Sequence, residues 1–163
     1  LRSFKDGQKL RLEPLRSAAF PVIRDLVVDR SAMDRVIQAG GFVAVDAGTA
    51  ADADSMQIGH GRAEKALDFA ACIGCGACIA ACPNGAANLF AGSVLNHLST
   101  LPQGKPERSK RARSIIQEID ESFGPCSVYG ECAVTCPAGI PLSAIAAVNR
   151  ERARAALRRG KDD

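Results

Sequence analysis

Tryptophan is absent from this chain, tyrosine occurs once, and aromatic residues together make up only 4% of its 163 residues. That scarcity argues against a β-sandwich built on large flat rings and favours close-packed helices of small apolar residues. No uninterrupted apolar run reaches the ~18 residues a membrane span needs, so any membrane role calls for another subunit as anchor. Nothing near the start reads as a secretory signal. The first residue is Leu1 rather than Met, and we take the chain to be a fragment or to begin where order begins. An excess of either sign of charge is lacking too, with 21 Lys and Arg against 18 Asp and Glu. A net of +3 is too mild for a nucleic-acid binder. The basic residues gather in 105–113 and 150–161, which read as solvated helix faces.

What the chain does have is 47% apolar residues and seven cysteines. An odd count argues against a plain disulfide framework, and clustered thiols without an export signal belong in a reducing compartment as ligands. Around them the residue pattern predicts a mainly helical fold. Residues 9–15 alternate and read as an edge strand ended by Pro14, and residues 21–28 read as a second strand. Ser31 is expected to cap a helix with Asp34 in its first turn and Gly40-Gly41 past its end. Residues 45–61 read as a long connection. Helices are expected over 62–69, 89–101 and 107–122, the last burying Ile115, Ile116 and Ile119. A final helix opens at Pro141 and runs through Ile145, Val148 and Ala155 into a basic end.

Six of the seven cysteines match in register as three pairs, and only Cys75 faces a different residue. Cys72-Ile-Gly-Cys75-Gly-Ala-Cys78-Ile-Ala-Ala-Cys82-Pro83 aligns without a gap to Cys126-Ser-Val-Tyr129-Gly-Glu-Cys132-Ala-Val-Thr-Cys136-Pro137. Tyr129 stands where Cys75 does. The first run is the bacterial ferredoxin pattern, in which three closely spaced thiolates hold one iron–sulfur cluster and the fourth reaches the neighbouring one. The spacing therefore assigns Cys72, Cys75, Cys78 and Cys136 to a [4Fe–4S] cluster. It assigns Cys82, Cys126 and Cys132 to a [3Fe–4S] cluster, with Tyr129 at the corner where a fourth ligand would sit. Small spacer residues allow the backbone close to the cluster sulfides. Paired zinc sites fit poorly, because seven cysteines cannot fill two of them and His60 and His97 lie outside both runs. Two [4Fe–4S] clusters, one with a non-cysteine ligand, compete more seriously. His97 reads as a helix-surface residue.

On these motifs the chain resembles the iron–sulfur subunit of succinate dehydrogenase and fumarate reductase. The resemblance rests on Phe20-Pro21-Val22-Ile23-Arg24-Asp25-Leu26-Val27-Val28-Asp29, on both cysteine runs, and on Pro137-Ala138-Gly139-Ile140. Arg2-Ser3-Phe4, Ser17-Ala18-Ala19-Phe20 and Pro102-Gln103-Gly104 look most like the bacterial branch with a dihaem cytochrome b anchor. The resemblance implies a two-cluster helical ferredoxin domain over 31–163, with 1–30 the short β remnant of an upstream plant-type ferredoxin domain holding a [2Fe–2S] cluster. It implies electron transfer within the tricarboxylic acid cycle enzyme, with no substrate-turnover site in this chain itself. Electrons would pass between an FAD-containing flavoprotein subunit and a quinone, menaquinone in this branch, beside the [3Fe–4S] cluster and a cytochrome b anchor. The complex would sit peripherally on the cytoplasmic face of the bacterial inner membrane, without nucleic acid. Asn84 to Asn88 and Ser127 replace the tryptophans and histidine that other members place near quinone, so no quinone ligand carries over. The alternatives are a subunit of heterodisulfide reductase or anaerobic glycerol-3-phosphate dehydrogenase type, which keeps eight cysteines, and a non-catalytic cluster module.

Overall fold

The computed structural model describes residues 4–42, 57–102 and 107–158. Among these, a two-stranded antiparallel hairpin, β1 (Val22–Arg24) and β2 (Val27–Val28), leads into α1 (Ser31–Val36), which ends in a π-turn over Ile37–Gly41. Then come α2 (His60–Ala70), α3 (Ala77–Ala80), α4 (Asn88–Thr100), α5 (Arg108–Ser122), α6 (Glu131–Thr135) and α7 (Ser143–Arg158). The molecule is mainly helical, as the residue pattern predicts.

Helix α4 is the centre of the packing. It is buried on nearly every face and packs against α2, α3, α5 and α7. Its composition explains how. Gly92 lets α7 approach so closely that an added Cβ would meet the Ala144 carbonyl oxygen at 2.3 Å. Ser93 is fully buried, and its hydroxyl donates to the Phe69 carbonyl on α2. The larger core joins Phe20, Met33, Phe90, Leu95, Ile115 and Val148 from five parts of the chain. A smaller one, Phe69, Leu89, Ile140, Ala144 and Ile145, carries five cysteines against it. The apolar stripe of α5 is buried as expected.

Several local expectations are corrected. Residues 9–15 form no strand, because their alternation meets no partner strand to bond with. The run 21–28 is a hairpin rather than one strand, turned at Asp25, whose φ is +52°. Ser31 is the first helical residue rather than the cap, and its N–H is received by the Asp29 carboxylate at 2.9 Å. That hydrogen bond, together with Ser31's hydroxyl, holds the Asp29 carboxyl below its usual range. Residues 43–56 and 103–106 lie outside the described residues, which takes in most of the expected connection over 45–61 and the Gln103-Gly104 stop. α2 begins before that connection was expected to end.

The basic stretches are also less solvated than expected. Arg111 is buried and pairs with Glu107 at 2.7 Å. Arg108 bonds Glu151 through both guanidinium arms, and Arg154 pairs with the same carboxylate at 2.7 Å. Arg152 and Asp120 form a second link between α5 and α7, beside Arg108–Glu151.

Candidate metal centre

The two cysteine runs fold alike, and the likeness extends further than their shared residues. Gly76 (φ +82°) precedes α3 and Gly130 (φ +92°) precedes α6, both left-handed, which is why the repeat keeps glycine there. Ile79 N–H donates to the Gly76 carbonyl at 3.0 Å, and Ala133 N–H to the Gly130 carbonyl at 3.0 Å. Cys82 N–H reaches the Ile79 carbonyl at 3.2 Å, matched by Cys136 to Ala133 at 3.3 Å. Beyond the prolines, Gly85 (φ +62°) and Gly139 (φ +65°) close equivalent turns onto Cys82 and Cys136. Even the third position matches. Gly74 has φ +62° and Val128 has φ +57°. A β-branched residue is a poor occupant of that region, so the second run holds a strained backbone to keep the shape of the first.

All seven thiols are free and half-buried. Cys72, Cys75, Cys78 and Cys136 line one recess together with Leu89, Phe90 and Ile140. Cys82, Cys126 and Cys132 line a second, with Tyr129, Glu131 and Asn88 on its wall. Cys82 and Cys136 thus each stand in the recess of the other run. α3 and α6, which carry them across, pack directly on each other. His60 and His97 line neither recess. His97 is half-buried rather than on the surface, and burial lowers its pKa.

The electrostatics follow the same grouping. Burial is the main cause that pushes the Cys78 thiol up to about 12, and Cys72, Cys75, Cys132 and Cys136 add repulsion. Cys132 is raised first by burial, and Cys126 and Cys82 raise it further. Thiolates crowded into apolar recesses need a cationic partner, and iron supplies one. Among the described residues no three Cys, His, Asp or Glu side chains are placed to hold a single metal ion. The donor set, its spacing round a recess and the close-approach glycines fit an iron–sulfur cluster in each.

Other residues brace the recesses, and sequence reasoning missed them. Asn84 Nδ2 donates to the Pro125 carbonyl and to Ser127 Oγ, both at 2.9 Å, tying the end of the first run to the start of the second. Gly124 makes that contact possible, since an added Cβ would lie 1.8 Å from the Asn84 carbonyl oxygen. The Arg30 guanidinium donates to the Gly74 carbonyl inside the first cysteine loop. The one available signal was the Cys-Pro-x-Gly ending shared by both runs.

Residues 71–140 match the 4Fe-4S dicluster domain family. The chain is 33% identical over 151 residues to the succinate dehydrogenase iron-sulfur subunit of Bacillus subtilis, covering 88% of this chain and 58% of that protein. It is 32% identical over 147 residues to the fumarate reductase iron-sulfur subunit of Mycobacterium tuberculosis, covering 83% and 56%. The corresponding fumarate reductase subunit of Escherichia coli O157:H7 is 29% identical over 149 residues, at 89% and 59%. The chain therefore spans less than two thirds of the length of these relatives.

Proposed function

We propose that this chain, with its match to the 4Fe-4S dicluster domain and its similarity over most of its length to iron–sulfur subunits of succinate dehydrogenase and fumarate reductase, is an electron-transfer protein that conducts electrons through two unlike clusters. The proposed ligands are Cys72, Cys75, Cys78 and Cys136 for a [4Fe–4S] cluster and Cys82, Cys126 and Cys132 for a [3Fe–4S] cluster. One observation carries the reading: two recesses, each lined by cysteines from both runs, with Tyr129 in place of the eighth thiol. Such clusters, when bound, accept and release single electrons. The protein's part is to hold them close together and shielded. α3 and α6 pack on each other between the two runs, Leu89 lines both recesses, and Phe90 and Ile140 line the first, so clusters held there would be neighbours within an apolar surround.

The partners belong to the same proposal. They are an FAD-containing flavoprotein subunit on one side and, on the other, a cytochrome b anchor with a quinone, menaquinone in this branch. The complex would be peripheral to the cytoplasmic face of the inner membrane, and no helix among the described residues is long and apolar enough to cross one. Exposed apolar side chains support docking at two places. They are Val22, Ile23, Leu26 and Val27 on the hairpin, and Val128, Tyr129 and Val134 around the second run. A [2Fe–2S] domain with residues 1–30 as its tail completes the proposal, residues 31–163 being the helical ferredoxin domain.

Metal content tests the cluster assignment. Purified without air, the protein is expected to hold about seven irons in these two sites, and no zinc, with Mössbauer spectra resolving a three-iron and a four-iron component. Two four-iron components, or stoichiometric zinc, refute it.

A further inference from the structure

The two cysteine loops share a backbone shape but differ in what stands behind them. Behind the first, a Cβ added at Gly76 would meet Met33 Sδ and a Phe20 ring carbon, each at 3.1 Å. The Arg30 guanidinium, just ahead of α1, donates to the Gly74 carbonyl, and the same nitrogen lies 3.6 Å from Met33 Sδ. Phe20, Arg30 and Met33 therefore brace the loop between Cys72 and Cys78 from outside its recess, which none of them lines. The second loop has no such backing. A Cβ added at Gly130 would meet nothing within 4 Å. Among the described residues no side chain bonds the carbonyl of Val128, the counterpart of Gly74.

The charge behind the first loop is the second observation. A guanidinium ordinarily pairs with a carboxylate. Among the described residues Arg30 has no acidic partner, and its two acceptors are a carbonyl oxygen and a thioether. The adjacent Asp29 accepts from Ser31 instead and feels the charge of Arg35. An unneutralised cation is thus held against a residue that lies between two of the four thiols of the first recess. A thiolate-ligated cluster gains negative charge on reduction, and nearby charge is among the terms that set its potential. We propose that Arg30 raises the reduction potential of the first cluster by placing a positive charge beside its cysteine loop, an effect the second cluster lacks. The proposal rests on the two-cluster reading above. Arg30 touches none of the thiols and acts through its field and through the Gly74 carbonyl it holds.

The test uses the whole chain, loaded with both clusters without air, and a redox titration of each cluster's own EPR signal. Arg30 is exposed, so solvent and salt weaken its field. Arg30→Gln removes the charge. At a fixed potential it is expected to lower the reduced-to-oxidised ratio of the first cluster about threefold, about 28 mV for one electron at 59 mV per tenfold. The second cluster's midpoint should not move, and Arg30→Lys should keep the parent value for the first. The gap between Arg30→Gln and the parent should also narrow as salt is raised, which a purely structural brace would not produce. An unchanged first midpoint in Arg30→Gln, an equal shift in both clusters, or the same shift in Arg30→Lys overturns the proposal. If Arg30→Gln does not load the first cluster, Arg30→Met, whose stem still reaches Met33, carries the same expectation. Loading by Arg30→Lys but by neither neutral variant supports the charge requirement through iron content. Loss of the first cluster from all three variants means a structural brace alone and overturns it. Failure of the two-cluster reading would show separately, as an unsubstituted protein lacking one of the two cluster signals.

Discussion

Replacing Val128 with glycine should make this protein more stable. Val128 occupies the left-handed region at φ +57°, where its counterpart in the first run is Gly74 at φ +62°. A residue held there costs on the order of 1–3 kcal/mol, with a branched Cβ toward the upper end. Val128→Gly removes that cost. Against it stand roughly 0.5–1 kcal/mol for glycine's freer unfolded chain and a small loss of burial, since Val128 is 63% exposed. The balance is a gain of about 1 kcal/mol, or roughly 2–4 °C in Tm for a chain of this size. Thermal unfolding of the cluster-free protein measures it without interference from iron binding. The reverse change, Gly74→Val, should lower Tm by a similar or larger amount. A Val128→Gly protein that melts lower than its parent would refute the idea that the second run is strained into the shape of the first.

Glu151 is almost fully buried between Arg108 and Arg154. Burial works to raise its pKa, but the hydrogen bonds from Arg108 and Arg154 outweigh it and hold the carboxyl below its usual range. A carboxyl with a depressed folded pKa contributes stability above its unfolded value, and that contribution fades as pH falls through the folded one. Glu151→Gln is therefore expected to cost about 2 kcal/mol at neutral pH, less than for a fully buried pair because Arg108 keeps some solvent, and to flatten the loss of stability below about pH 5. Equal denaturation midpoints for both proteins at pH 7 would contradict this. Tyr129→Cys restores the missing thiol on the wall of the second recess, so it should add one iron per chain and convert the three-iron signal to a four-iron one with a lower potential. An unchanged three-iron signal with unchanged iron content would place Tyr129 away from the vacant corner.

Much of the site was legible because cluster chemistry demands fixed cysteine spacing, and spacing survives in a bare sequence. The exchange of Cys82 and Cys136 between the recesses followed from that alone. The helices α5 and α7 were legible too, since a buried stripe imposes its own period, and α4, buried on nearly every face, was legible from the Pro102 stop after it. Tertiary context hid the rest. Residues 9–15 alternate like a strand but have no neighbour to pair with, and one β-rich run concealed a turn at Asp25. Nothing in the letter valine announces a positive φ at Val128; only the aligned Gly74 hints at it. Arg108 and Arg111 looked like solvated charge because their partners, Glu151 across the fold and Glu107 one turn away, are settled by packing rather than composition.

The crossed ligands are the claim on which the rest depends, and Cys136→Ser tests them most directly. Cys136 belongs to the second run in sequence but lines the recess of Cys72, Cys75 and Cys78. Mössbauer spectra of the anaerobic Cys136→Ser protein, loaded with 57Fe, are expected to show the four-iron component lost or altered and the three-iron component intact. Loss of the three-iron component with the four-iron one preserved would contradict the account.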